Sequence, residues 1–195
     1  MILPHNLEKN FPILDARSRT IDQATFTEIF DQYKNLVFKT AFLMQGDEAE
    51  AEEALQEVFI RVYRSLESYR PEKGAITTWL HRITINYCLE KRRKHRFLFI
   101  AFDDGPKELV DASARLTNEL LDEKEIVKQA MRRLSLKLRA VIILRYFWDL
   151  PYAEIATILH IPLGTVKSRI DRALRNLREE LKDPETGRQG DAGTR

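Results

Sequence analysis

In the stretch HIPLGTVKSRIDRALRNL, His160 to Leu177, hydrogen-bonding groups recur at a spacing that gathers them on one side of a helix. They are Gly164, Lys167, Ser168, Asp171, Arg172 and Arg175, with Thr165 at the helix start. The other side, Val166, Ile170, Ala173, Leu174, Leu177 and further on Leu181, is apolar at the period of a helix that buries one face. This mixture of donors and acceptors suits the edges of base pairs. Lysine and arginine donate to guanine O6 and N7 or to phosphate, serine serves either, and aspartate accepts from cytosine N4. Arg169, Arg175 and Arg178, toward the flanks, suit phosphates, which contribute salt-dependent, sequence-blind affinity.

Such a face needs elements that hold it. PYAEIATILH, just before, predicts a short helix with Ile155, Ala156 and Leu159 inward and then a tight turn. The longer helix starts at Pro162 to Thr165, where the missing N–H of proline costs nothing. Two helices joined this way make a helix-turn-helix, whose second helix lays its N-terminal half against bases in the major groove. EIVKQAMRRL and SLKLRAVIILRYFWDL predict helices upstream, with Val141, Ile142, Leu144 and Phe147 as core candidates.

The first half of the chain repeats the helical pattern with different chemistry. FTEIFDQYKNLVFKTAFLM sets Phe26, Ile29, Phe30, Tyr33, Val37, Phe38 and Phe42 on one stripe. After Gly46, Ala51, Ala54, Leu55, Val58, Phe59 and Val62 form a second stripe behind an acidic first turn that favours a helix N-terminus. ESYRPEKGAITT is a loop, broken by Pro71 and Gly74. TWLHRITINYCLEKRRKHR resumes with Trp79, Leu80, Ile83, Tyr87 and either Cys88 or Leu89 inward, and ends in KRRKHR. Cations near a helix C-terminus complement its dipole, but five Lys and Arg in six residues exceed that need. The acid-only run Gly46 to Glu57 and this basic run suggest separate surfaces for separate partners.

Composition sets outer bounds. The chain has 195 residues, 32% charged and 44% hydrophobic, with only seven glycines and seven prolines, and its periodicity is helical throughout, which predicts an all-α protein. The net charge of +2 says little about partners; its distribution says more. The single cysteine, Cys88, excludes an internal disulfide, and four histidines without ligand spacing suggest no metal site and no cofactor. No stretch reaches the length of a membrane span, and MILPHNLEKNFPILDARSR lacks the apolar run of a signal peptide, so a cytoplasmic protein without direct membrane insertion is expected. No nucleophile–base constellation suggests an enzyme or a small-molecule substrate.

Two motifs together carry a resemblance. EIATILHIPLGTVKSRIDRALRNLREEL closely resembles the promoter-recognising fourth region of bacterial sigma factors, and AEEALQEVFIRVYRSLESYRPEKGAITTWLHRITINYCLEKRRK resembles their second region. In that order, with no third domain between, they resemble the extracytoplasmic-function group over about residues 25–182. The resemblance implies two small helical domains joined by a flexible acidic linker: a tail over 1–22, a second region over 23–96, a linker over 97–122, a fourth region over 123–182 and a tail over 183–195. It implies promoter DNA and core RNA polymerase as partners, through the clamp helices and flap of the large subunits, and an anti-sigma factor.

Glu53, Leu55, Gln56 and Glu57 match the family's DLVQE run, which implies docking on the clamp; Ala54 stands where the family has Leu, reducing apolar contact there. Tyr69, Arg70, Lys73 and the rest of the 68–78 loop match the segment that captures an unstacked −10 base, and an aromatic with cations on a mobile loop suits a single strand. Asn86 matches a polar family position, placed to read a base edge, while Arg82, Lys91, Arg92, Arg93 and Lys94 would hold the −10 backbone. Lys167, Ser168, Asp171 and Arg172 match the −35-reading face. His160 replaces the family's turn glycine, and Pro151 replaces its Ser or Thr cap, leaving Asp149 as the substitute cap.

Residues 97–122 reach about 85 Å when extended, enough for promoter boxes about 70 Å apart. The apolar residues Phe97 to Ile100 and Phe102 are alternatively a packing segment. A standalone operator-binding regulator leaves the Glu53–Glu57 helix and the basic segment without a role. An antagonist that mimics a sigma factor does not need Lys167 and Arg172.

Overall fold

The computed structural model describes residues 23–102 and 123–182, all in helices and short turns with no strand among them. The predicted tails and residues 103–122 of the linker lie outside the described residues. The chain divides into two compact units, one of the chain up to Phe42 with Asp47–Tyr87, the other of Leu43–Gly46 with the chain from Cys88 onward.

In the first unit, α1 (Gln23–Gln45) as far as Phe42, α2 (Glu48–Ser65) and α3 (Ile76–Phe102) as far as Tyr87 supply the apolar stripes. α1 buries Ile29, Tyr33, Leu36 and Val37, α2 buries Ala51, Ala54, Val58, Phe59 and Val62, and α3 buries Leu80, Ile85 and Tyr87. The large rings of α1 sit at the margin, where Phe26 and Phe30 meet Phe59 edge-on with ring centres 6.2 and 4.8 Å apart. Asp47 caps α2, its carboxylate accepting from the Glu50 N–H at 2.9 Å. The D-x-x-E spacing of Asp47 and Glu50 was the available signal for that cap. α3 runs to Phe102 and takes in the first six residues of the predicted linker, because no glycine or proline interrupts it before Gly105 and Pro106. At a helical rise these residues shorten the linker's reach by about 11 Å, which still leaves it above 70 Å.

The first unit also buries a polar pair. Thr40 Oγ1 donates to the Leu36 carbonyl at 2.8 Å and lies 3.3 Å from His81 Nδ1. The single threonine proton is engaged, so Nδ1–H of neutral His81 is the donor in that contact. Burial lowers the His81 pKa from 6.5 to about 3. The neutral form is therefore the folded one: its stability is complete above the unfolded pKa and falls as pH drops below 6.5 toward 3. Denaturant titrations at pH 7.5 and 5 should differ by about 2 kcal/mol from this residue alone. His81→Leu should flatten the profile between them.

In the second unit, α7 (Leu163–Lys182) is the spine, packed against α4 (Glu123–Arg133), α5 (Leu136–Ile142) and α6 (Tyr152–Leu159). Leu134, Leu138, Ile142 and Ala173 form a buried cluster with Met131, Leu174 and Leu177 against it. Leu181 is exposed instead of continuing the stripe. In α6, Ile155 and Ile158 are fully buried while Ala156 and Leu159 are half-buried, so the inward face is centred one residue away from the predicted one.

Between α5 and α6 the chain makes a π-helical turn, Ile143–Phe147. The wider turn carries Ile143 and Leu144 inward and swings Tyr146 and Phe147 out, so Phe147 is exposed rather than core. Asp149 does not cap α6. Its backbone has φ 52°, and its carboxylate accepts from Arg145 Nη1 at 3.2 Å. Pro151 opens the helix through its carbonyl, which accepts from the N–H groups of Glu154 and Ile155 at 3.0 and 3.1 Å.

Candidate nucleic-acid and polymerase interfaces

α6 ends at His160, which adopts the left-handed conformation (φ 51°, ψ 47°). This lets the Ile161 N–H reach back to the Ala156 carbonyl at 3.1 Å and reverses the chain sharply. Pro162 then starts α7, its carbonyl accepting from Thr165 and Val166 N–H groups at 2.9 and 3.1 Å. With Val166, Ile170 and Ala173 fully buried, the opposite side of α7 must face outward.

Lys167, Ser168, Asp171, Arg172 and Arg175 are exposed, and Thr165 and Arg169 are half-buried. At about 100° per residue, Ser168, Asp171, Arg172 and Arg175 form the middle of the face. Lys167 flanks one side, and Thr165 and Arg169 the other. Arg175 thus sits on the midline rather than at the edge. Ser168 donates to the Thr165 carbonyl at 3.1 Å, so its oxygen presents lone pairs outward. Among the described residues, Lys167, Asp171, Arg172 and Arg175 form no ion pair, so their charges are available to a ligand.

Among the described residues of this unit, one cation is internal. Arg139 is buried, and its Nη2 donates to the carbonyls of Arg132 and Leu134, the latter at 3.2 Å, closing the α4–α5 turn. Its position inside the apolar run KLRAVIIL was the signal for burial. Arg133 pairs with Glu180 and fixes α4 against the far end of α7.

On α3, Asn86, Arg92, Arg93 and Lys94 are exposed, while Arg82 and Lys91 are half-buried. Arg82, Asn86 and Arg93 share one stripe; Lys91 lies half a turn away, so the basic run is not one surface. The loop that precedes α3 consists of two 3₁₀ turns, Leu66–Ser68 and Pro71–Lys73. Within it, the Tyr69 hydroxyl donates to the Gly74 carbonyl at 3.0 Å, and the ring lies 5.1 Å from Trp79. Arg70 Nη1 donates back to the carbonyls of Glu67 and Tyr69 at 2.7 and 3.0 Å. Lys73 lies in the second turn, which the Gly74 N–H closes on the Pro71 carbonyl at 3.2 Å. A braced loop, rather than a loose one, carries Tyr69, Arg70 and Lys73.

On α2, Glu53, Gln56 and Glu57 are exposed and share one face. Leu55 points to the bundle side and does not join them. Ala54 is fully buried, so the smaller side chain there affects packing and not the outer face. Ile60 and Tyr63 continue the same outer face, 43% and 53% exposed, and were missed. Their repeat from Glu53 at i+7 and i+10 was the available signal. The Tyr87 hydroxyl donates to Glu53 Oε1 at 3.0 Å, which orients that carboxylate.

No described helix is long and apolar enough to cross a membrane. The Sigma-70 region 2 family matches residues 29–97, and the Sigma-70 region 4 family matches residues 124–177. The ECF RNA polymerase sigma factor SigW of Bacillus subtilis is 35% identical over 172 residues, covering 83% of this chain and 91% of that relative. The RNA polymerase sigma-H factor of Pseudomonas aeruginosa is 33% identical over 162 residues, covering 78% of this chain and 83% of that relative. The fold is similar to the sigma factor RpoE of Bartonella quintana, solved in complex with the anti-sigma factor NepR. The TM-score is 0.65 at 24% identity, over 80% of this chain and 96% of that one. An outward-facing recognition helix in one unit, an acidic helix face in the other and these two family matches in order make this chain a member of the extracytoplasmic-function group of RNA polymerase sigma factors, initiation factors that direct core polymerase to promoters.

Proposed function

We propose that promoter recognition is divided between a domain of residues 23–96 and a domain of residues 123–182, with residues 97–122 as the connection. α7 reads the −35 element: Lys167, Ser168, Asp171 and Arg172 meet base edges, Thr165 and Arg169 hold the backbone from one flank, and Arg175, on the midline but in the C-terminal half of the helix, holds it beyond the bases. Arg82, Asn86 and Arg93 on α3, flanked by Arg92, track the −10 strand, while Lys91, on the opposite side of the helix, takes no part in that stripe. The loop with Tyr69, Arg70 and Lys73 receives the unstacked base. Glu53, Gln56 and Glu57, continued by Ile60 and Tyr63, dock on core polymerase; Leu55 supports that helix from behind.

The observation that carries this reading is the exposed α2 face, acidic at one end and apolar at the other, in the same chain as the basic face of α7. A duplex-binding regulator uses only the second. The protein works in the cytoplasm, and an anti-sigma factor holds it inactive, as the NepR complex of the structurally similar RpoE suggests.

Glu57→Arg tests the division. Charge reversal on the docking face should weaken association with core polymerase by at least about tenfold in a sedimentation or anisotropy titration. Binding of the free protein to −35 duplex should not change. Equal loss of both would show that α2 has no separate partner.

A further inference from the structure

We propose that Tyr69 acts as the latch of the 66–75 loop, so that promoter opening depends on its hydroxyl rather than on its ring as a stacking surface. The proposal rests on the reading of this loop as the receiver of a −10 base and assigns Tyr69 a different part in it.

The ring is already engaged. Tyr69 is half-buried, and its plane is tilted 38° to that of Trp79 with the centres 5.1 Å apart, so one face lies against the root of α3. The hydroxyl spans five residues to the Gly74 carbonyl at 3.0 Å and closes a ring of chain around Pro71–Lys73. The backbone fastens both ends of this ring. The Tyr69 N–H donates to the Leu66 carbonyl at 3.0 Å and the Gly74 N–H to the Pro71 carbonyl at 3.2 Å.

Gly74 has φ 151° and ψ 162°, a region other residues avoid, yet a Cβ there would meet nothing within 4 Å. The position needs glycine for backbone conformation and not for space. Arg70 is folded back on its own loop by two hydrogen bonds. Tyr69, Arg70 and Gly74 therefore hold one preformed shape, and a preformed loop avoids the ordering cost of catching a base. Burial and the nearby Glu72 carboxylate raise the Tyr69 pKa, which keeps the hydroxyl protonated and able to donate.

The test uses holoenzyme assembled from core polymerase and the full chain, with 2-aminopurine at the unpaired −10 position of a duplex promoter. Opening is followed as the rise in its fluorescence for Tyr69→Phe, Tyr69→Ala and Gly74→Ala. The latch predicts that Tyr69→Phe, which keeps the ring and loses only the hydroxyl, slows opening by about fivefold, the scale of one hydrogen bond. Tyr69→Ala should be slower by no more than about another twofold. Gly74→Ala should match Tyr69→Phe, and the double variant should be no slower than either, because both break one closure.

A holoenzyme preparation with unchanged core affinity and unchanged −35 duplex binding confines the effect to the loop. Wild-type opening by Tyr69→Phe beside slow opening by Tyr69→Ala would overturn the latch and make the ring a direct stacking partner, leaving the base-receiving role of the loop in place. Wild-type opening by all three variants would overturn the latch and the base-receiving reading together.

Discussion

Arg172→Ala should reduce binding to a cognate −35 duplex by about 10- to 100-fold, with little change on a scrambled duplex. Arg172 is exposed, lies in the middle part of the α7 face and forms no ion pair among the described residues. Its guanidinium is free to make the bidentate bond to a guanine edge, which contributes about 1–3 kcal/mol of discrimination. Arg172→Lys should not restore it, because an ammonium lacks the planar fork. Anisotropy titrations with both duplexes at several salt concentrations check this. Arg169→Ala serves as the contrast: a phosphate contact weakens both duplexes alike and lowers the salt slope by about one. If Arg172→Ala behaves like Arg169→Ala, Arg172 is a backbone contact.

Ile170→Ala should strongly destabilise the second unit. Ile170 is 1% exposed, on the α7 face that packs against the other helices. Removing its side chain deletes apolar contacts and leaves a cavity, a loss of about 2–5 kcal/mol. In a unit of this size that lowers Tm by at least about 10 °C, readable by circular dichroism. Binding to −35 DNA should fall with it although no DNA-facing group has changed, since the groove face has no support except the packing behind it.

Position on a regular helix was legible in the sequence; departures from regularity were not. The buried line Val166, Ile170 and Ala173 and the exposed line Ser168, Asp171 and Arg172 follow from a constant turn per residue. The same rule misplaced Phe147, because the π-helical turn at Ile143–Phe147 inserts a residue into the period and nothing in ILRYF announces it. Leu55 was grouped with Glu53, Gln56 and Glu57 by adjacency in a motif, whereas adjacency on a helix separates side chains by about 100°. Hydrogen bonds across a loop have no period at all. Tyr69 reads as an exposed aromatic beside cations, and only the geometry shows its hydroxyl on the Gly74 carbonyl and its ring on Trp79. Arg139 sits amid apolar neighbours that signal its burial, whereas His81 is followed by Arg82 and carries no such signal; the partners of both are set by tertiary packing.

One chain that joins core polymerase to chosen promoters should support run-off transcription when purified core RNA polymerase, this protein and a pool of genomic promoter fragments are combined. Discrete transcripts should appear only when the protein is added, with start sites that align two sequence boxes, and Glu57→Arg and Arg172→Ala should each diminish them. Absence of transcripts, from a protein that binds duplex DNA by itself and does not bind core polymerase, would contradict the account.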